Sequence, residues 1–504
     1  MNIADALDRN VIFFPDNEAL VDGGRRWTYR EFRRDADRFA HALTDLGVGH
    51  GDRVGLFMGN CAEFAIAFYG ALKVGAIVVS LSSMCKCGEI EYMVTHSTPR
   101  VLVVGGANLG EVPARAAIPS VEHVVVVGGG AGGPADHAFW DLLAGRPDHF
   151  ATVYTDREEG AEIIYTGGTT GAAKGVLLTH GNVVSNTNTN VHLTGLTPED
   201  RLICFLPLYH SFAQNFIFNV CVNRGATLVI LPKFEVESVL RTMREERVTR
   251  WYAVPTIYIM VLDVPDADEA FAHVNYCFSA AASMPVEVAR RWKERFGLVI
   301  NEGYGLTEST PSATYNHQYR HKAGTVGTPI DNVEVQIWDA DNRPLPPGEV
   351  GEIVIKGPNV MKGYYNNPEA TAAALVDGWL KTGDVGVMDE EGYITLVDRL
   401  KDMVNSAGLK IWPREVEEVL YRHEAVLECA VIGVPDPVYG ETVKACVVVR
   451  PGVELCADDI VSYCKARLAS YKAPRIVEFM EALPKSPAGK ILKTELRKTA
   501  GEKA

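Results

Sequence analysis

Residues 165–175 read YTGGTTGAAKG, and four glycines, three threonines and one lysine in eleven positions are the materials of a phosphate-holding loop. Glycines let backbone N–H groups converge on an anion, threonine hydroxyls add donors, and Lys174 adds a mobile positive charge. The stretch is not the G-x-x-x-x-G-K-[ST] loop, because Ala173 precedes the lysine and Gly175 follows it. A plain surface loop is the competing reading.

Four other stretches carry chemical side chains. NEGYGLTES (301–309) gathers an aromatic ring, a hydroxyl and a carboxylate after an apolar run, and strand ends of open α/β sheets are where ligands bind. LKTGDVG (380–386) sets Asp384 in a glycine-flanked turn, suited to a ribose diol or to simple capping. LPLYHSF places His210 among apolar residues, where a satisfied core histidine is the ordinary case. PKSPAGKILK (484–493) carries Lys490 on a Pro/Gly-rich loop that alone reads as a solvated tail. VVVVGGGAGG (124–133) meets the dinucleotide pattern at Gly128, Gly130 and Gly133, but a run this rich in glycine meets almost any spacing, and a flexible linker reads better.

These residues must be placed by elements, and two textures supply them. RVGLFM (53–58), AIVVSL (76–81), LICFLP (202–207), ATLVIL (226–231), NYCFSA (275–280) and LVINEGYG (298–305) read as buried parallel strands, with helical stretches such as AEFAIAFYGALK (62–73) between them. That is a layered α/β architecture. From about residue 324 the apolar and polar residues alternate, which suggests antiparallel strands in a small barrel or sheet. The last hundred residues read as a small α+β unit, with PREVEEVLYRH and ADDIVSYCKARLA helical and LECAVIGV and VKACVVV extended; its boundary falls near Asp398–Asp402.

The bulk properties narrow the partners. The 504 residues carry a formal charge of −15, against nucleic acid as the main ligand. The apolar region 62–83 is interrupted by Glu63 and Lys73, against a membrane span, and the N-terminus lacks the basic start and apolar run of a secretory signal, so a cytoplasmic place is expected. The ten cysteines are scattered, so reduced thiols are expected, and Cys85 and Cys87 have no matching pair at zinc spacing. A homodimer is compatible with all of this.

The order of the motifs closely resembles the adenylate-forming superfamily of acyl-CoA synthetases, luciferases and peptide-synthetase adenylation domains, over essentially the whole chain. The family's Y-T-S-G-T-T-G-x-P-K-G is residues 165–175, its Y-G-x-T-E is Tyr304–Glu308, its T-G-D is Thr382–Asp384, its D-R-x-K-D is Asp398–Asp402, and its P-x-x-x-x-G-K is Pro484–Lys490. The resemblance implies an α/β fold: a large N-terminal domain (1–400) with a small β-barrel subdomain, and a mobile α+β C-terminal lid (401–504) hinged at Lys401.

It also implies an acid–CoA ligase using ATP, Mg²⁺ and coenzyme A, in which a carboxylate attacks the α-phosphate and CoA then takes the acyl group. By resemblance, Thr166, Gly167, Gly168, Thr169, Thr170, Gly171 and Lys174 hold the terminal phosphates. Thr307 serves the α-phosphate and Glu308 the metal. Ala281, Ala282, Glu302, Gly303 and Tyr304 border the adenine, and Asp384 and Arg399 hold the ribose. Lys490 bridges carboxylate and α-phosphate, and His210 joins it among the catalytic residues. Ala407, Gly408, Lys410, Tyr439 and Tyr471 fall on the CoA side, and His210, Phe212, Asn215, Val254, Ala280 and Gly303 around the acid. That lining is apolar and small-sided and lacks arginine or lysine, so an apolar fatty or bulky polycyclic acid is expected rather than a dicarboxylate.

Two loop positions depart from the family pattern: Gly167 stands where Ser is usual and Ala173 where Pro is usual. The first removes a donor and the second a constraint on φ, which raises an alternative in which adenylation is impaired and the enzyme mainly converts preformed acyl-adenylate. An amino-acid adenylating enzyme is disfavoured because no acid follows His210 in YHSFAQNF, and a luciferase because the chain ends in GEKA, not a peroxisomal S-K-L. A non-catalytic nucleotide sensor and a dinucleotide oxidoreductase are the remaining rivals.

Overall fold

The computed structural model describes residues 1–129, 135–166, 173–399, 402–486 and 489–501. Two large sheets form the body. The first has nine strands, and its parallel centre runs Ile300–Gly305, Tyr276–Ser279, Arg250–Ala253, Arg201–Cys204, Thr227–Ile230, Glu18–Asp22. The second has eight strands, with Gly160–Thr166, Ile77–Leu81, Arg53–Phe57, Val101–Gly105 and His123–Val127 parallel. Helix Ala62–Lys73 packs against strands of both sheets, and all twelve of its residues are buried. Its closing Lys73 pairs with Asp8 at 2.6 Å and Asp37 at 2.8 Å. A buried ammonium needs such partners.

Local sequence explains where the helices begin. Thr28 and Glu31 form a reciprocal capping box at the start of helix Tyr29–Asp45, which buries Phe32, Ala36, Phe39, Ala40 and Leu43 along one face. Thr179 and Asn182 cap helix His180–Thr194 in the same way. Asn182 then donates its side-chain amide to the carbonyls of Pro358 and Val360, tying a distant segment to the strand that leaves the glycine-rich loop.

A third sheet of five strands is antiparallel: Glu334–Trp338, Val350–Lys356, Trp379–Met388 and Leu375–Val376, with Ile394–Arg399 beside Trp379–Met388. Among the described residues no pairing closes it, so the expected barrel is an open sheet here. The C-terminal unit has its own sheet, built on the long hairpin Val426–Asp436/Gly440–Val449, and its own buried core around Val416, Leu420, Val431 and Ile460. Asp398 links the two units: its carboxylate accepts from the Arg414 N–H at 3.1 Å, at the start of lid helix Pro413–Leu420.

Gly130 and Gly133 lie outside the described residues. Strand His123–Val127 before them is followed by a two-residue strand and the five-residue helix Phe139–Leu143, not by a long helix that could carry a pyrophosphate. Among the described residues no helix is long and apolar enough to cross a membrane.

Candidate active site

Strand Ile300–Gly305 carries the site's centre to the end of the nine-stranded sheet. Gly305 is obligatory there, since a Cβ would stand 1.7 Å from the Pro311 carbonyl oxygen. The buried Tyr304 hydroxyl donates to Asp384 Oδ2 at 2.8 Å across a separation of 80 residues. Asp384 faces Arg399 in the register of the third sheet, with Nε 3.2 Å from Oδ1. Thr382 shapes that turn by accepting from the Asp384 N–H at 3.1 Å while donating to the Ile353 carbonyl at 2.7 Å. Each carboxylate oxygen of Asp384 thus has one protein partner and a second acceptor site for a diol.

Thr307 follows in a short turn, where its hydroxyl lies 3.1 Å from that of Ser211. Glu308 accepts from the Tyr364 hydroxyl at 2.8 Å, and burial pushes its carboxyl above the usual range. A carboxylate with one neutral donor on one oxygen fits a hard cation such as Mg²⁺. Ser211 and Tyr364 have no signal in the sequence, because each reaches its partner from a segment 96 or 56 residues away.

Of the glycine-rich loop, Gly167, Gly168, Thr169, Thr170 and Gly171 lie outside the described residues. The loop's ends are held as an antiparallel pair, Thr166 opposite Lys174 and Tyr165 opposite Gly175. Tyr165 donates to the Met93 carbonyl at 2.9 Å, and Tyr92 donates to the carbonyl of Ala173 at 3.0 Å. That last bond restrains the exit at the position where proline is missing. The Lys174 ammonium lies over the Tyr364 ring, 4.9 Å from its centre.

His210 precedes a π-helical stretch, Phe212–Asn219. Its Nδ1 accepts from the Phe212 N–H at 3.3 Å, so the neutral ring carries its proton on Nε2. Burial first, and then the charge of Lys490, push its pKa down to about 4. Lys490 is therefore brought within electrostatic reach of His210. It arrives on a turn whose Gly489 carbonyl accepts from Thr256 Oγ1 at 3.0 Å and whose Gly489 Cα side seats against Val254.

The acid-side residues separate into three groups. Phe212, Phe216 and Phe278 pack together, Phe216 stacking on Phe278 at 4.4 Å between ring centres, and a Cβ on Gly303 would meet the Phe278 ring at 2.8 Å. The expected small-sided lining is thus walled by aromatic rings. Val254 seats the lid turn. Asn215 does not share that wall: its amide donates to Glu162 at 3.0 Å, beside Asn219, which donates to Glu162 at 3.4 Å and to Asn215 Oδ1 at 2.8 Å. Burial holds the Glu162 carboxyl up near 7, and the amides satisfy it.

Ala280–Ala282 form the turn after strand Tyr276–Ser279, and Ala281 adopts φ +70°, a strained value for a residue with a side chain. Glu302 is buried beside the Met284 backbone, between strand and lid, with its pKa pushed to about 8 by burial; Arg414 opposes the rise and Glu418 adds to it.

Lys401 lies outside the described residues. Ala407 and Gly408 take φ +51° and +85° at the exposed tip of hairpin Val404–Ser406/Leu409–Ile411, and Lys410 beside them is exposed too, while Val404 and Ile411 are buried. Tyr439 accepts the Arg475 guanidinium on its ring at 3.6 Å, and Tyr471 is exposed. The structure therefore brings Lys490 to the body and leaves the hairpin on the lid's surface.

Comparison with known proteins agrees with this geometry. The model of the AMP-binding enzyme family matches residues 7–365, and that of the AMP-binding enzyme C-terminal domain matches residues 415–490. The chain is 34% identical to a long-chain-fatty-acid–CoA ligase of Bacillus subtilis, over 96% of this chain and 92% of that one. It is 36% identical to a feruloyl-CoA synthase of Amycolatopsis, over 98% of both. The solved structure of the anthranilate CoA ligase AuaEII in complex with anthranoyl-AMP superposes with a TM-score of 0.93 at 30% identity, over 99% of this chain and 97% of that one.

Proposed function

The chain belongs to the AMP-binding enzyme family and is an AMP-forming acid–thiol ligase that uses ATP and CoA, and on that premise we propose that its acid is apolar and lies on the aromatic wall of Phe212 and Phe278. In the first half-reaction a carboxylate oxygen bonds to the α-phosphorus and pyrophosphate leaves. In the second the CoA sulfur bonds to the acyl carbon, its proton is lost, and AMP leaves.

The first step brings two anions together, so it needs positive charge and donors that strengthen in the transition state. Lys490 supplies the charge between carboxylate and α-phosphate, and Thr307, steadied by Ser211, supplies a donor. Loop 165–175, with Lys174, receives the leaving pyrophosphate. Asp384 and Arg399 hold the ribose, while Tyr304 and the backbone at Ala281 and Ala282 border the adenine. Mg²⁺ held by Glu308 would neutralise phosphate charge when bound. For the second step the lid turns about Lys401, Lys490 withdraws, and the Ala407–Gly408 hairpin, with Lys410, meets the pantetheine arm. ATP and CoA as substrates support a cytoplasmic place.

One observation carries the substrate class: the acid side of the site is neutral and aromatic. His210, beside Phe212 and within reach of the Lys490 charge, is uncharged at pH 7. Among the described acid-side residues none is a cation besides Lys490, which disfavours dicarboxylates. The stacked rings favour a flat aryl acid over a long chain. The test is thioester formation across a panel of aryl, fatty, polycyclic and dicarboxylic acids with ATP and CoA. Highest kcat/KM for the aryl acids is expected; preference for malonate or succinate refutes the reading. The Tyr92 bond to Ala173 supports full adenylation over the impaired alternative. That alternative predicts thioester from synthetic acyl-adenylate but little from acid plus ATP.

A further inference from the structure

Tyr364 holds a position that the reaction just described does not explain. It ends the short strand Gly363–Tyr364, which pairs antiparallel with the strand leaving the glycine-rich loop, Tyr364 opposite Val176. The neighbouring Tyr365 N–H donates to the Gly175 carbonyl at 2.7 Å, and Met361 N–H to the Glu308 carbonyl at 2.8 Å. The segment is therefore bonded on one side to the loop strand and on the other to the Glu308 turn. The Tyr364 N–H in turn donates to Thr371 Oγ1 at 2.9 Å, which fixes the ring's root.

The side chain repeats this bridge. Its ring face receives the Lys174 ammonium at 4.9 Å and its hydroxyl donates to Glu308 Oε1 at 2.8 Å. A cation on the face and an anion at the rim are each favourable. Without the ring between them, Lys174 and Glu308 would be free to collapse onto each other as an ion pair. The two charges have opposite tasks: one meets phosphate oxygens and the other a cation.

We propose that Tyr364 is a positioning residue that keeps Lys174 and Glu308 apart and aimed, so that Mg²⁺ and the phosphates of ATP meet two separated charges. The inference rests on the ligase reading above. The ring spaces and the hydroxyl orients, so the two functions come apart by substitution. Tyr364→Phe keeps the ring and loses the hydroxyl. Tyr364→Leu loses both.

The test titrates Mg²⁺ at fixed ATP, following ATP binding by calorimetry without acid and pyrophosphate release with the best acid of the panel. Thioester formation from that acid's synthetic adenylate is followed in parallel. Tyr364→Phe should raise half-saturation by Mg²⁺ about tenfold, as loss of a partner of a metal ligand does, with kcat at saturating Mg²⁺ nearly unchanged. Tyr364→Leu should weaken ATP binding further than Tyr364→Phe at every Mg²⁺ concentration. Both should leave the adenylate-to-thioester step at the wild-type rate. A Tyr364→Phe titration that overlays the wild type, or equal losses in both half-reactions, overturns the inference. A wild-type protein that binds no ATP and releases no pyrophosphate overturns the ligase reading instead.

Discussion

The body and the lid hold their reactive groups by different means. In the body, side chains from separate segments fix one another: Tyr304 and Asp384, Asp384 and Arg399, Ser211 and Thr307. In the lid, Lys490 takes its position from the backbone of a turn seated on Val254 and Thr256. Side-chain lattices suit groups needed through both half-reactions. A backbone seat suits a group that must arrive for one step and leave before the next. The contrast also states where a substitution should hurt one step and where it should hurt both.

The sharpest way to break that contrast is Lys490→Ala. Acid-dependent pyrophosphate release should fall about 10²–10³-fold, as for loss of a preorganised donor. Thioester formation from synthetic adenylate should stay within about twofold of wild type, on the same separation of steps. Equal loss in both assays would erase the distinction between body and lid.

Asp384→Ala should instead hurt both steps. It strips the acceptor from Tyr304 and Arg399, and hydrogen bonds to a charged group contribute about 1.5–3 kcal/mol. Weaker KM for ATP and for the adenylate together, read by initial rates, is the expected pattern.

Gly489→Ala probes the seat itself. Its φ of +81° disfavours any side chain, and the new Cβ would stand 2.8 Å from Val254 Cγ2. Left-handed backbone costs an L-residue roughly 1–2 kcal/mol, so adenylation should drop about tenfold with the CoA step spared. Adding Val254→Ala should recover part of the loss by relieving the contact. No recovery would mean that the turn is not seated there during the reaction.

The last test sits where body meets lid, and it reads stability where the others read rates. Glu302 has a folded-state pKa near 8 against 4.5 for the exposed group, because burial disfavours its charge. An acid whose pKa rises on folding loses stabilising free energy as pH climbs from the unfolded value to the folded one. Glu302→Gln has no such loss. Its Tm relative to wild type should therefore rise between pH 5 and pH 8 and level off above. A constant gap across that range would show that Glu302 is not held neutral.

Much of this arrangement was legible in the sequence. The strands at 53–57, 77–81, 276–279 and 300–305 and helix 62–73 follow from apolar runs of the right length, and motif order singles out Tyr304 and Asp384, which the fold joins by a hydrogen bond. What stayed hidden depends on long-range pairing. Ser211, Tyr364 and Thr256 matter through partners far along the chain, which no local spacing encodes. Asn215 falls by family resemblance among the acid-side residues, but the π-helical winding turns it with Asn219 toward Glu162. The aromatic cluster was hidden for a related reason: Phe216 and Phe278 come from different elements and stack only in the fold.

That stack has a consequence for how this enzyme can diversify. Phe278 lies on a strand separate from the segments bearing Lys174, Glu308, Asp384 and Lys490. If the acid lies there as proposed, trimming that ring would lengthen its berth and leave the segments bearing Lys174, Glu308, Asp384 and Lys490 as they are. Gly305 allows no comparable drift, since any side chain there meets the Pro311 carbonyl. On the proposed reading, the acid can therefore be changed by single substitutions in the aromatic wall, while Gly305 tolerates none.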